Sequence, residues 1–216
     1  MKHTLSALVL SLGLSLPALA SAEEIHHKGT AIFSAERLVG IGWSHFSREN
    51  NVPPGGDTER DWTSFGFGWR ATEGGTLSPF DMPRIGFDYM IIDHLSIGGS
   101  LGYASVSLDD PDGSVAVFQI APRVGYALAL GRVVSIWPRG GFTYHAQSAD
   151  PGSEGQNGFA FSAECPFTFS PTNHFAFHVG PTFDIDMFGT FSPDNGDDRD
   201  QHWRSFGITG GILGWL

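Results

Sequence analysis

The chain has 216 residues, including 29 glycines, and one all-β domain can use this length without a second core. Charged residues make up only 16% of the chain, against about 25% in soluble globular domains. The net charge of −11 excludes an extended phosphate-binding surface, because nucleic-acid-binding proteins concentrate Lys and Arg, so we expect no nucleic-acid partner.

The first 22 residues have the layout of a cleaved export signal. Lys2 supplies the positive start, Leu5 to Leu16 supply the apolar run, and residues 18–20 and 20–22 both have the A-x-A form of a cleavage site. The apolar run is shorter than the ~20 residues of a membrane-spanning helix. We therefore predict a signal peptide over residues 1–22 and one exported domain over residues 23–216. His26 and His27 follow the cleavage region, where we expect a flexible polar tail rather than a metal site.

Alternating hydrophobicity dominates the rest of the chain. Apolar residues occupy every second position from Arg84 to Ile91 and from Leu95 to Tyr103, and Asp93-His94 between these runs predicts a tight turn. The same alternation recurs over residues 118–130, 134–144, 159–169, 175–187 and 206–216. Seven runs of about ten residues, each with one apolar face and one small or polar face, are typical of membrane-spanning β-strands.

A periplasmic sandwich or a closed soluble barrel would show a similar alternation. Three features favour a membrane barrel: charged residues in mid-strand on the polar faces, apolar faces rich in Phe, and prolines as the main interruptions. The prolines are Pro122, Pro138, Pro166 and Pro181. The expected fold is therefore all-β, a single closed antiparallel transmembrane barrel.

The connections alternate in length, as they do between the two sides of outer-membrane barrels. Short turns at residues 93–94, 131–132 and 171–173 alternate with longer polar links at 109–113, 147–157 and 189–201. Short turns belong on the periplasmic side. This pattern places the C-terminus in the periplasm.

The number of strands is less well determined, because two upstream candidates, residues 36–46 and 62–71, raise the count to nine. A bacterial barrel with both termini on one side needs an even number. We prefer eight strands, with Ser47 to Pro83 as one extracellular excursion that includes the Trp62 to Arg70 segment. Residues 62–71 could instead close the barrel in place of 36–46, or the barrel could have ten strands.

In its signal peptide, Phe-rich alternating strands, short turns and C-terminal strand, the chain resembles the small OmpA/OmpX-type outer-membrane β-barrel proteins. The resemblance covers most of the mature chain. It implies the outer membrane of a Gram-negative bacterium, with outer-membrane lipids and lipopolysaccharide as partners and the barrel-assembly machinery engaged during insertion; we expect a monomer. Family members usually end in an aromatic residue on the lipid face, whereas here Trp215 is penultimate and Leu216 is last.

The polar faces of the strands collect charges of both signs. An eight-stranded barrel is just wide enough for its interior to be filled by side chains, and an unpaired buried charge would cost several kcal/mol. We therefore predict a closed, ion-paired interior with a structural role, and a narrow ion path is the alternative. The candidates are Glu36, Arg70, Arg84, Asp88, Arg123, Arg139, Glu164, Asp184 and Asp186.

Two acidic stretches, Asp109 to Gly113 and Asp194 to Asp200, fall in predicted loops. Neither has the spacing of an EF-hand, so we interpret both as solvated surface loops, although a divalent-cation site bridging to lipopolysaccharide phosphates is an alternative. We expect no cofactor and no metal.

These features indicate an outer-membrane barrel with a structural or surface-interaction role and no catalysis. One alternative is a narrow transport barrel for ions or small hydrophobic molecules. A second is a lipid-A-modifying enzyme, for which His202 with Ser192 and His145 with Ser148 are candidate pairs.

Overall fold

The computed structural model describes residues 25–49, 57–68, 78–109, 112–150, 154–193 and 197–216. Strands dominate these residues, and no helix among them is long and apolar enough to span a membrane. In chain order the strands are β1 (Ala31–Arg48), β2 (Thr58–Phe67), β3 (Arg84–Ile92), β4 (Leu95–Asp109), β5 (Asp112–Tyr126), β6 (Leu128–Ala129), β7 (Val134–Ile136), β8 (Arg139–Asp150), β9 (Glu154–Glu164), β10 (Phe167–Phe169), β11 (Phe175–Ser192) and β12 (Arg199–Trp215).

Eight long antiparallel strands close a barrel. Its order is β1, β3, β4, β5, β8, β9, β11 and β12, and β12 pairs back with β1. β6, β7 and β10 extend the same wall, because Pro138 separates β7 from β8 and Pro166 separates β9 from β10. A proline has no N–H to donate to a strand ladder, which explains these interruptions. The prediction of an eight-stranded closed barrel is confirmed.

The two ends of the barrel differ in their connections. The β3–β4, β6–β7 and β10–β11 turns lie at one end, which we call the short-turn end, and the two termini meet there through backbone hydrogen bonds of 3.1 and 3.0 Å between Ala31 and Leu216. The opposite end is the long-loop end. There β8 and β9 cover most of residues 147–157, and β11 and β12 cover parts of residues 189–201. The links predicted at residues 147–157 and 189–201 are therefore shorter in the structure than expected.

The excursion from Ser47 to Pro83 contains a strand of its own. β1 pairs with β3 through Ala31–Glu36, whereas its outer half, from Val39 to Arg48, pairs with β2. Phe65 and Phe67 on β2 point outward and are 78% and 83% exposed. The excursion is thus partly a hairpin built onto the barrel wall, rather than a simple extracellular loop as expected.

Side chains alternate between the two faces of the wall. Inward positions are buried and include charged residues such as Arg84, Asp88 and Arg123, while outward positions expose large apolar side chains such as Ile85, Phe118, Tyr144 and Phe177. Apolar groups on the outside and charges on the inside are the reverse of a soluble sandwich, and suit a wall surrounded by lipid.

Candidate functional site in the barrel interior

A β-bulge in β1 sets up the charged centre of the barrel. The register between β1 and β12 shifts between Ala35 and Val39, and Arg37 lies in the bulge with φ of 54°. A bulge adds one residue to a strand and re-aims the side chains beside it. As a result Glu36 and Arg37 both point inward, with 1% and 3% exposure, although they are adjacent in the chain.

The first group of charges is centred on Glu36. Its carboxylate accepts hydrogen bonds of 2.7 Å from both Nη atoms of Arg123 and of 3.0 Å from Nη1 of Arg139. Arg123 also donates to Asp88, with 3.1 Å from Nε to Oδ1, and to Glu164, with 3.0 Å from Nη1 to Oε1. Nε of Arg139 lies 3.0 Å from the same Glu164 oxygen. Two guanidinium groups therefore share three carboxylates.

The second group is centred on Asp184. Arg37 donates to both of its carboxylate oxygens, at 2.8 and 3.1 Å, and Ser162 donates to Oδ1 at 2.6 Å. Nη2 of Arg84 lies 4.0 Å from the same oxygen. Arg37 also donates to the backbone carbonyl of Phe80 at 2.6 Å.

We call these two groups together the ionic layer. It holds four arginines (Arg37, Arg84, Arg123 and Arg139) and four carboxylates (Glu36, Asp88, Glu164 and Asp184), so its formal charges sum to zero. A buried charge network is tolerable when each charge has a partner of opposite sign. The layer can therefore fill the centre of the barrel without a counter-ion from solution.

An inward-folded turn lies against the ionic layer. Pro79–Asp81 form a single 3-10 turn. Ser78 caps this turn, because its hydroxyl accepts a hydrogen bond of 3.2 Å from the backbone N–H of Phe80. Phe80 and Met82 are 0% exposed, and the Phe80 ring contacts the His145 ring edge-on with centroids 5.3 Å apart. This turn was expected to belong to an extracellular excursion, and it is instead a plug inside the barrel.

A further polar group lies toward the long-loop end. Nε2 of His145 is 2.9 Å from Asp186, and the other oxygen of Asp186 accepts a hydrogen bond of 3.0 Å from the Trp203 backbone. Gln119 and Gln201 are also fully buried here. Asp186 is therefore paired with a histidine, apart from the arginines of the ionic layer.

An apolar cluster closes the short-turn end. Ile25 and His26 fold back into the barrel mouth and are 1% and 2% exposed. The expected flexible tail is therefore wrong for His26, whereas His27 is exposed. We call this cluster the apolar cap; it consists of Ile25, Ile32, Met90, Ala127, Trp137, Ala176, Leu213 and Trp215.

Little space remains at the ionic layer. The cavity lined there by Arg37, Arg84, Arg123, Arg139 and Glu164 measures about 10 Å³. A single water molecule needs a cavity of about 10–15 Å³. This cavity can therefore hold about one water molecule.

Other predicted sites fall elsewhere. Arg70 lies outside the described residues, as do residues 110, 111 and 194–196 of the two acidic stretches. The part of the chain that the structure describes holds no group of three His, Cys, Asp or Glu side chains that could bind a metal. Apart from Arg70, the interior candidates, which are eight residues, all point into the barrel. Arg37 and Phe80 were missed, because a bulge and a folded-in turn interrupt the alternation.

The candidate catalytic pairs are not brought together. His145 is 0% exposed inside the barrel, whereas Ser148 faces outward on the same strand. Continuing the β11–β12 register places Ser192 opposite Asp198, four residues from His202, or about 13 Å at 3.3 Å per residue. Neither pair can share a proton.

The chain is similar to solved structures of outer-membrane proteins. OprG from Pseudomonas aeruginosa aligns with a TM-score of 0.52 and 10% identity over 89% of this chain and 98% of OprG. Neisserial surface protein A aligns with 0.46 and 12%, over 87% and 97% of the two chains, and Ail of Yersinia pestis with 0.38 and 11%, over 86% and 99%. No curated protein sequence matches the chain.

Membership of a family rests on the sequence itself. The profile described as "Outer membrane protein beta-barrel domain" matches residues 6–209. This match covers nearly the whole chain and both halves of the barrel. The chain therefore belongs to the outer membrane protein β-barrel family.

Proposed function

We propose that this outer-membrane barrel is a closed structural scaffold that holds acidic loops at the cell surface for interaction, without conducting ions and without catalysis. The observation that carries the proposal is the filled interior. From the short-turn end outward, the lumen contains the apolar cap, the ionic layer, the plug turn and the His145–Asp186 pair. An ion would have to displace several paired charges to pass this sequence of layers.

The surface role rests on the connections at the long-loop end. The β4–β5 and β11–β12 connections at this end include the acidic stretches 109–113 and 194–200. Asp197 and Asp198, which the structure describes, are exposed. A rigid barrel can anchor loops whose sequences determine what the loops contact.

Planar bilayer recordings test the closed interior. Purified wild-type protein should give no unitary conductance steps, whereas a variant in which Arg123 and Arg139 are both replaced by glycine should give steps, provided that its band still shifts on heating in SDS gels. Regular steps from the wild-type protein would overturn the proposal. Shortening residues 194–200 should leave the heat shift intact and change adhesion of expressing cells to surfaces; unchanged adhesion on every surface tested would remove the surface role.

A second candidate function is passage of small hydrophobic molecules through the wall. It is favoured by one observation: within the described ranges, β4 beyond Leu101 has no strand partner on the side facing β2 and β3. Uptake of a radiolabelled apolar compound by cells that express the chain, compared with cells that carry the empty vector, distinguishes this candidate from a closed scaffold.

A further inference from the structure

A cavity of about 90 Å³ lies inside the barrel at the long-loop end. Its lining consists of four larger side chains and two small residues: Arg48, Gln147, Gln156, Phe191, Ala149 and Gly155. One water molecule needs about 10–15 Å³, so this cavity has room for several waters or for part of a small polar molecule. It is therefore much larger than the cavity of about 10 Å³ at the ionic layer.

The strand register brings the lining side chains together. Gln147 on β8 is paired with Gln156 on β9, and Gln156 is paired with Phe191 on β11. Gln147 lies two residues beyond the buried His145, so both side chains are on the inner face of β8. Arg48 joins this row from β1, because its guanidinium carbon lies 3.5 Å from the centre of the Phe191 ring. The row therefore lies in the lumen, nearer the long-loop end than His145.

Two amide oxygens of the cavity wall lack a partner within the protein. Gln156 is 9% exposed, and its Oε1 atom is buried and accepts no hydrogen bond from any residue that the structure describes. The buried Oε1 atom of Gln147 also has no donor among those residues. An unsatisfied buried acceptor costs free energy, and such groups are uncommon in folded proteins. The two amides therefore indicate a ligand that donates at least two hydrogen bonds.

Arg48 supplies hydrogen-bond donors to the same cavity. Its cation–π contact with Phe191 holds the guanidinium at the cavity wall. A guanidinium has five N–H donors, so it can keep its contacts within the protein and still donate to a ligand.

The composition of the wall selects a neutral ligand. The described residues that line the cavity include no carboxylate, so a cationic ligand would gain little there. A carboxylate or phosphate ligand only accepts hydrogen bonds, and it would face the two amide oxygens of Gln147 and Gln156. The cavity therefore fits a neutral molecule whose polar groups both donate and accept hydrogen bonds.

We propose that this cavity binds the edge of one hexose ring through neighbouring hydroxyl groups. A hydroxyl donates one hydrogen bond and can also accept. Two hydroxyls donate to the amide oxygens of Gln147 and Gln156, and one of them accepts from Arg48. The site lies nearer the long-loop end than the ionic layer and the plug turn. The inference therefore goes beyond the closed scaffold and holds whether or not the lumen conducts.

The test titrates the folded barrel, in a detergent without a sugar head group, with the methyl glycosides of glucose, galactose and mannose. NMR signals of the Gln147 and Gln156 side-chain amides report binding at the site. We expect at least one hexoside to shift both signals at millimolar concentration.

Two variants locate the binding. Gln156→Met keeps the side-chain length and removes the amide, so it should weaken binding about 3- to 10-fold, the loss of one neutral hydrogen bond. Asn173→Ala is the control, because Asn173 is an exposed amide residue in the β10–β11 turn at the opposite end of the barrel. Its affinity should equal that of the wild type. If Gln156→Met loses its heat shift on SDS gels, Gln147→Met serves in its place with the same expected loss.

Three results would overturn the proposal: no shift of the two amide signals with any of the three hexosides, equal binding by wild type and the methionine variant, or equal binding of the open-chain polyol sorbitol. A free hexose and the terminal hexose of a glycan present the same hydroxyls. A trisaccharide that ends in the hexose that binds distinguishes these two sources. Binding as tight as that of the methyl glycoside assigns the site to glycan ends, and exclusion of the trisaccharide assigns it to free hexoses.

Discussion

Glu36 and Arg123 meet at the centre of the barrel through two hydrogen bonds of 2.7 Å, although 87 residues separate them in the chain. Glu36 lies in the first barrel strand and Arg123 in the fourth, so their contact spans the lumen rather than joining neighbouring strands. Arg139 donates to the same carboxylate. Glu36 is therefore the acceptor on which two buried cations depend.

Replacing Glu36 by glutamine should destabilise the barrel. The substitution removes a negative charge and leaves Arg123 and Arg139 short of a partner in a buried site, which typically costs about 3–5 kcal/mol. Urea unfolding in lipid vesicles, followed by tryptophan fluorescence, measures the change. Glu59→Gln is the matched control because Glu59 is exposed, and its effect should stay within about 0.5 kcal/mol. Equal urea midpoints for the two variants would contradict the role of the ionic layer.

Phe80→Ala tests the plug turn. The ring is fully buried against His145, and truncating a buried phenylalanine typically costs about 3–5 kcal/mol through lost contacts and the remaining cavity. Phe80→Leu fills most of the same volume and should cost less than about 1.5 kcal/mol. Both variants are compared by the temperature at which the folded band disappears on SDS gels. A plug turn that does not pack in the lumen would give the two variants the same temperature as wild type.

The packing of the N-terminal segment should depend on pH through His26. Burial, followed by the nearby imidazoles of His94 and His27, lowers the pKa of His26 from 6.5 to about 4. The packed segment therefore binds the proton less readily than the released segment. Packing is most favourable above pH 6.5 and is lost progressively as the pH falls from 6.5 to about 4.

Hydrogen exchange of the backbone amides in residues 25–30 measures this dependence, after correction for the intrinsic effect of pH on exchange. Protection should fall as the sample is acidified below pH 6.5. In His26→Leu, an apolar side chain replaces the titrating one, so protection should vary much less over the same range. Identical pH profiles in the two proteins would show that another group controls the segment.

Strand alternation allowed much of this structure to be predicted. Successive side chains of a strand point to opposite faces, so an apolar face toward lipid identifies the opposite face as the inward one. Asp88, Arg123 and Asp184 could therefore be assigned to the interior from their neighbours alone. The even number of strands followed from the position of the termini. The first argument needs only the local alternation of residues, and the second needs only the requirement that the barrel close. A single sequence is enough for both.

Alternation fails where the backbone departs from a regular strand. At the bulge, Arg37 should face lipid by its position after Glu36, and the extra residue turns it inward toward Asp184. Phe80 lies in no alternating run, and its burial depends on the space left inside the closed barrel. β2 alternates only weakly in its sequence, and its position depends on pairing with the part of β1 that extends beyond β3. Each of these features is set by tertiary structure that local pattern does not encode.

Gly86 shows how closely the wall is fitted to the ionic layer. A Cβ atom added at this position would lie 2.8 Å from Oε1 of Glu36 and 2.9 Å from Nη2 of Arg123, and would also meet the hydroxyl of Ser34. Real Cβ atoms do not approach neighbours within 3.0 Å, so these groups would have to move. They are held in place by each other, since Ser34 donates to Glu36 at 2.7 Å and Glu36 accepts from Arg123.

Gly86→Ala should therefore destabilise the barrel by about 1–3 kcal/mol, the usual cost of overpacking a filled interior. Gly131→Ala is the control, because a Cβ atom at Gly131 in the β6–β7 turn has no neighbour within 4 Å. Urea midpoints in vesicles compare the two substitutions. Combining Gly86→Ala with Ser34→Ala removes one of the three clashing groups and should recover part of the loss. If the double variant is no more stable than Gly86→Ala, the clash with the ionic layer is not the cause.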